Sequence, residues 1–283
     1  MTVHQSTQSV HAAQAEEALF RRYREPLAIA AANWNETIAG LVAHRSVRAF
    51  RDQPLPPGTL ETLVAAAQSA PSSSNIQAWS VVAIEDPIRK ARLSQLAGNQ
   101  RHIEQAPLFL VFVADLARAS AIAAQDGVEL EGAHYTESFL LATIDATLAA
   151  QNALVAAESL GLGTVYIGAL RNHPEAVAAE LNLPDLAYAI FGLVVGIPDE
   201  TRPAAVKPRL PQEAVLHRER YDLDQQTGPI QRHDDHAIAF QREQQLPVQG
   251  WSELVVDRLR SVEALKGRHT LRSVLNRLGF QLR

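Results

Sequence analysis

The sequence holds four clusters whose residue types could do chemistry. The run His44-Arg45-Ser46-Val47-Arg48 sets several donors just ahead of a Pro/Gly-rich loop at 54–58. A phosphate needs convergent, charge-assisted donors, and guanidinium adds planar two-point contacts. Alone, the run also reads as a polar helix end. Pro71-Ser72-Ser73-Ser74-Asn75-Ile76-Gln77-Ala78-Trp79 offers small hydroxyl and amide groups that would let a flat polar ligand approach closely, or it is a plain connecting loop. Gly161 to Leu170 (GLGTVYIGAL) is glycine-rich but lacks the G-x-G-x-x-G spacing and follows a helix rather than a strand, so it is not a dinucleotide turn. Gly168, at the end of a strand, offers a backbone N–H instead. Lys207-Pro208-Arg209-Leu210-Pro211 holds two cations on a stiff, proline-flanked loop and reads equally as surface or site.

Metal and nucleophile chemistry find no such pattern. His233-Asp234-Asp235-His236 sits on a polar segment and reads as solvated, and H-E-x-x-H, G-x-S-x-G and the P-loop are absent. Zero cysteines remove thiolate ligands, iron–sulfur clusters and cysteine nucleophiles, so redox chemistry would have to come from a bound cofactor.

The elements that must position these groups come from a chain of 283 residues, 47% apolar and 20% charged, enough for a folded core. A net charge of −5 disfavours general nucleic-acid binding. The N-terminus lacks a secretory pattern, which makes a cytoplasmic address the expectation. Residues 1–40, Ala/Gln/Glu-rich with Pro26 as a breaker, are expected to be an appended segment, flexible or helical and without assigned function, ahead of one domain over 41–283.

Within that domain, Gly58 and Thr59 precede a helix that Pro71 ends, and Pro87 opens one that Gly98 closes. WSVVAI (79–84), LFLVFV (108–113), Thr164–Ile167 and YAIFGLVV (188–195) read as buried strands, with a helix from Pro174 between the last two. His134 to Leu160 is the longest helix and apolar nearly all round, which places it at the centre of the molecule. Asp145, Gln151, Asn152 and Glu158 interrupt its apolar run and argue against a membrane span. Strands alternating with helices predict a sheet covered by helices, without separating a parallel from a mixed order. The tail from Trp251 has Leu254, Val255, Leu259, Val262 and Leu265 at helical spacing and reads as a helix with a solvated face.

In order, the motifs H-R-S-x-R, P-S-S-x-N-x-Q-x-W, Gly98-Asn99-Gln100, E-S-L-G-L-G-x-x-Y-I-G and K-P-R-L-P resemble the FMN-dependent nitroreductase family, in its branch of oxygen-insensitive NADPH nitroreductases and NADPH-flavin oxidoreductases. The resemblance runs from about Leu41 to Trp251. It implies an α+β fold, a three-layer sandwich with a central, mostly antiparallel (mixed) sheet flanked by helices, built as an intertwined homodimer with FMN at the interface. It further implies that His44, Arg45, Ser46, Lys207 and Arg209 hold the FMN phosphate, while Arg48 and Gln100 face the pyrimidine edge. Arg48 would stabilise the negative charge of reduced flavin. Tyr166, Ile167, Gly168, Ala169 and Leu170 would pass beside the ring, with the Gly168 amide near N5, and Ser72, Ser73, Ser74 and Gln77 would form the neighbouring wall.

Carried over, the activity is hydride transfer from NADPH or NADH through FMN N5 to nitroaromatic, quinone or flavin acceptors, in ping-pong order, with Arg48 and Gly168 as catalytic groups. The alternatives are a non-catalytic FMN-binding or flavin-storage protein and a phosphate-binding regulatory domain without flavin. The sequence departs from the family at Ala78, where proline is frequent, and at Ala169, where a second glycine is frequent. In the loop that would take the NADPH 2′-phosphate, Arg242 to Trp251, only Arg242 is an arginine.

Overall fold

The computed structural model describes residues 2–27 and 33–283, with side chains from residue 12 onward. In chain order these residues form α1 (Thr2–Tyr23), α2 (Glu36–Val42), α3 (Thr59–Gln68), β1 (Trp79–Ile84), α4 (Pro87–Leu96), α5 (His102–Gln105), β2 (Leu108–Asp115) and α6 (Ala117–Gln125). There follow α7 (Thr136–Ser159), β3 (Gly163–Ile167), α8 (Pro174–Glu180), β4 (Ala187–Gly196), α9 (Thr227–Glu243), α10 (Trp251–Leu259) and α11 (Leu271–Arg277).

The chain divides into two compact units, residues 1–45 with 204–265 and residues 46–203 with 266–283. The expected division at 40/41 therefore does not delimit a body of its own. The N-terminal segment groups with part of the C-terminal third, and residues 1 and 28–32 of it lie outside the described residues.

The larger unit carries the sheet, in the order β1-β2-β4-β3 with every neighbouring pair antiparallel. A parallel contribution comes from one bridge, Ser46 beside Thr164, which also covers the open edge of β3. The unbroken apolar runs in β2 and β4 mark strands buried on both faces, and both occupy the middle of the sheet. Gly192 is required where it stands, because a Cβ there would lie 2.2 Å from the Phe109 ring.

α7 meets the sheet and α3 through Ala149, Ala150, Ala153 and Ala157, packed with Leu63, Ala67, Leu108, Leu110 and Phe112. Small side chains let the helix come close, and Asn152 donates to the Ala66 carbonyl at 3.1 Å. α8 lies against β4, and α4 packs on α5 and α8. The chain end returns to this unit, where Phe280 and Leu275 pack with Tyr188 and Ile190. α7 is long and apolar enough to cross a membrane by length and composition, yet one face of it lies in this core. The expected central position therefore holds for one face of α7, while on the other Leu140, Ile144 and Leu148, spaced at i, i+4 and i+8, are exposed.

In the smaller unit, Ala15, Leu19 and Trp34 form a core with Tyr23, Leu27, Ile38 and Val42. Asn35 caps α2, its side chain accepting from the Ile38 amide at 3.0 Å. Asp234 of α9 caps α10, accepting from the Ser252 amide at 2.8 Å and from the Ser252 hydroxyl.

Candidate functional site

The smaller unit carries four of the sequence-predicted phosphate ligands. His44 and Arg45 follow the C-terminus of α2, and Lys207 and Arg209 flank the buried Pro208. Arg45, Lys207 and Arg209 are exposed and His44 is half-buried. Their backbones are held by a residue the sequence reading did not single out. Arg22, at the end of α1 and 6% exposed, donates from Nε and Nη2 to the Val42 carbonyl (3.0 and 2.7 Å), from Nη1 to the Lys207 carbonyl (2.8 Å) and from Nη2 to the His44 carbonyl. Its own carbonyl accepts from the Arg209 amide at 2.9 Å.

Beside this group lies a cavity of about 640 Å³ lined by Lys207, Arg209, His233, Phe240, Trp251 and apolar neighbours. His233 was expected to be solvated and is instead buried, edge-on to Trp251 with ring centroids 5.6 Å apart. Burial pushes its imidazole below the ordinary range, and the charges of His236 and Arg209 add to that, against Asp234 and a backbone bond to Arg209. Arg242 is exposed in the last turn of α9.

In the larger unit, Ser46 pairs with Thr164, and the Val47 amide donates to the Thr164 carbonyl at 2.8 Å. Gly163 permits this approach, since a Cβ there would meet Val47 at 2.8 Å. The exposed Arg48 follows, and its charge acts on His102, whose imidazole is lowered first by burial and then by Arg48. The turn at 98–102 is bent through the left-handed region by Gly98 (φ 79°) and Asn99 (φ 59°). In that turn the Gln100 Nε2 donates to the Ala97 carbonyl at 2.9 Å.

β3 leads into the second predicted segment. Tyr166 is half-buried, edge-on to Phe191 at 4.9 Å, and burial raises its phenol well above the usual range. Ile167 and Leu170 were expected beside a ligand ring. They are 1% and 0% exposed, their side chains belong to the core, and only their backbones remain for a ligand. Gly168 and Ala169 are half-buried. The absence of a side chain at Gly168 makes room for Arg171, whose guanidinium would lie 3.2 Å from a Cβ there and donates to the Ile190 carbonyl at 2.6 Å.

The ties of the Ser72–Gln77 loop run to α7 and α6. Asp145, 2% exposed, accepts from the Ser72 hydroxyl (2.6 Å), the Ser73 amide (3.2 Å) and the Ala78 amide (3.1 Å). Ser72 Oγ in turn accepts from the Gln77 amide at 2.7 Å. Arg118 donates to the carbonyls of Gln77 and Trp79, each at 3.1 Å. These bonds hold Ser74, Asn75 and Gln77 at φ 49°, 55° and 51°, a conformation L residues resist. Ser73, Ser74 and Gln77 stay exposed. Asp145 was legible as a carboxylate in an apolar helix, a pattern that demands buried donors.

A family model described as the nitroreductase family matches residues 41–197, and one described as the nitroreductase family, C-terminal domain, matches 207–283. An FMN reductase [NAD(P)H] of Bacillus subtilis is 40% identical over 253 residues, covering 88% of this chain and 99% of the relative. An NADPH-flavin oxidoreductase of Vibrio harveyi is 38% identical over 227 residues, 80% of this chain and 91% of the relative. Among solved structures, the hypothetical oxidoreductase YcnD from Bacillus subtilis superposes with a TM-score of 0.84 at 37% identity, covering 88% of this chain and all of that one. The NADPH:FMN oxidoreductase from Vibrio harveyi complexed with NAD+ gives 0.75 at 35% identity, with 88% and 100% covered. Fold and relatives define an oxidoreductase enzyme of the α+β class. The chain belongs to the nitroreductase family.

Proposed function

We propose that the protein is an FMN-dependent oxidoreductase that draws two electrons from NADPH or NADH and delivers them to a nitroaromatic, quinone or flavin acceptor in alternating, ping-pong half-reactions. The donor set suits FMN: exposed cations on stapled backbones for a phosphate dianion, and an exposed arginine together with the amide of Gln100 for the pyrimidine edge. Bound FMN would supply two-electron chemistry at its N5 position.

The chain's own residues bind and orient. His44, Arg45 and Ser46, with Lys207 and Arg209, take the phosphate, and Gln100 serves the pyrimidine edge. Ser72, Ser73, Ser74 and Gln77 form a polar wall, while Tyr166 and the backbone from Ile167 to Leu170, with the Gly168 amide, line the ring. Arg48 stabilises negative charge that develops on the ring during reduction. Proximity and orientation of the two substrates carry the rest, so no protein nucleophile is needed. Arg242 is assigned to the coenzyme 2′-phosphate. The exposed stripe Leu140, Ile144 and Leu148, continuous with the groove beside Ser72 and Ser73, suits burial against a second copy, and we assign a homodimer. An NAD(P)H-dependent enzyme draws on the cytoplasmic pool, the address that goes with this reading.

The observation that carries the assignment is the pairing of Ser46 and Val47 with Thr164, which fixes the backbone leading to the exposed Arg48 against β3, the strand that runs into the Gly168 turn. The test is an absorption spectrum of the purified protein, then anaerobic stopped-flow mixing with NADPH and with NADH. Yellow protein that bleaches within milliseconds to seconds is expected. Arg48→Ala should slow reduction per bound FMN by at least about tenfold, as loss of one charge-stabilising group does. A flavin that never bleaches would mark a storage protein, and an unchanged rate in Arg48→Ala would remove that residue's role.

A further inference from the structure

The first forty residues have no counterpart in the family match, which begins at residue 41 and resumes to the chain end. The Bacillus subtilis FMN reductase likewise aligns over 99% of itself but only 88% of this chain. Yet α1, within this surplus, delivers Arg22 to the backbones of Val42, His44 and Lys207, and the Arg22 carbonyl holds the Arg209 amide. A guanidinium presents five donors in a fixed plane, so one side chain can span carbonyls that lie far apart in sequence.

The end of α1 is itself held in place. Leu19 and Tyr23 lie in the apolar cluster with Trp34 and Val42. Arg24, turned to φ 61°, donates to Glu243 at 2.9 Å and lies over the Phe240 ring at 5.6 Å, which fastens the helix end to α9. Arg22 therefore arrives on a braced helix end rather than on a loose tail.

We infer that Arg22 is a positioning residue for the cofactor phosphate: it fixes the spacing of the backbones that bear His44, Lys207 and Arg209, and it sets a positive charge behind them. This rests on the reading that those three side chains take the FMN phosphate. An arginine that acts only through the phosphate end affects FMN and leaves riboflavin, which has the same ring and no phosphate, nearly untouched. A residue needed merely for folding weakens both alike.

The experiment uses the full-length chain, stripped of flavin, titrated with FMN and with riboflavin by quenching of flavin fluorescence, for the unaltered protein, Arg22→Met and Arg22→Lys. Arg22→Met should raise the FMN Kd by at least about tenfold, the size of losing one or two charge-assisted bonds, and the riboflavin Kd by less than about twofold. Arg22→Lys, a point charge without the planar fork, should lose about three- to fivefold toward FMN. Equal weakening toward both flavins, or full FMN preference in Arg22→Met, would overturn the inference. Should Arg22→Met not fold, full FMN preference in Arg22→Lys overturns it equally. Equal affinities of the unaltered chain for FMN and riboflavin would instead remove the phosphate reading itself, and this inference with it.

Discussion

Asp145→Asn changes one charge and almost no volume at a point where three donors of the Ser72–Ala78 loop converge. The carboxylate takes the Ser72 hydroxyl and the Ala78 amide on Oδ2 and the Ser73 amide on Oδ1. With its carbonyl oxygen in the Oδ2 place, asparagine keeps the first two as neutral bonds and turns an NH₂ toward the Ser73 amide. One charge-assisted bond is lost, worth about 1.5 kcal/mol, and two are weakened by roughly 0.5 kcal/mol each, for a local cost of about 2.5 kcal/mol. Strain adds to the tendency to open, because Ser74, Asn75 and Gln77 are held at positive φ at about 1 kcal/mol apiece. About 2.5 kcal/mol is a factor of roughly 70 in an opening equilibrium. Hydrogen exchange followed by mass spectrometry should therefore show the 72–78 segment exchanging about 70-fold faster in Asp145→Asn, while the centre of β2 around Val111 keeps its protection. Asp145→Ala, which leaves all three donors without this acceptor and the Ala78 amide buried, should exceed that. Equal acceleration at Val111, or none at 72–78, would refute the role given to Asp145.

Stability should also depend on pH through two histidines. Burial lowers His102 and His233 below 6.5, with Arg48 adding to the first, so both stay neutral in the fold at a pH where the unfolded chain takes up protons. The unfolded state then binds more protons below about pH 6.5, and stability falls with falling pH by up to about 1.4 kcal/mol per unit for each histidine until its folded pKa is reached, with no contribution above that window. Urea midpoints between pH 7.5 and 5 should show a shallower slope for His102→Gln and for His233→Gln, and unchanged slopes in both would refute this. Gly192→Ala should destabilise by about 1–3 kcal/mol, because its Cβ would overlap the fully buried Phe109 ring. Adding Phe109→Leu should recover part of that loss in a double-mutant cycle, and strict additivity would show that the two residues do not meet.

What could be read from the sequence was local. Gly58 ahead of Thr59 and Pro87 after Asp86 start helices through their own backbone preferences, and both helices begin there. The runs at 108–113 and 188–195 are apolar throughout, short and rich in branched and aromatic residues, which suits a strand covered on both faces, and they became the two central strands. Strand order was not legible, since it depends on which apolar surfaces meet across many residues. His233 misled because its sequence neighbours are charged, whereas on a helix its partners are Ala237 and Phe240, and that side is the buried one. At Ile167 and Leu170 the motif did not tell side chain from backbone: alternation along β3 and the turn after it sends both side chains into the core and leaves only their backbones for a ligand.

Arg22 and Asp145 share one physical logic that a motif search does not capture. Each is a charge buried where water cannot satisfy it, and each finds its partners in the backbone of a loop, across 20 and 185 residues for Arg22 and 67 to 73 for Asp145. A loop meant to present donors to a ligand cannot spend its amides and carbonyls on a helix or a sheet, so something else must hold it in shape. A buried charge does this more strongly than a neutral group, because desolvation makes its every unmade bond costly and so forbids the loop to drift. The positive charge takes carbonyls and leaves the loop's cations pointing outward. The negative charge takes amides and a hydroxyl and leaves Ser73, Ser74 and Gln77 exposed. In a chain of this kind, a buried charge on a helix points to the loop it organises, and that loop is where binding is to be sought.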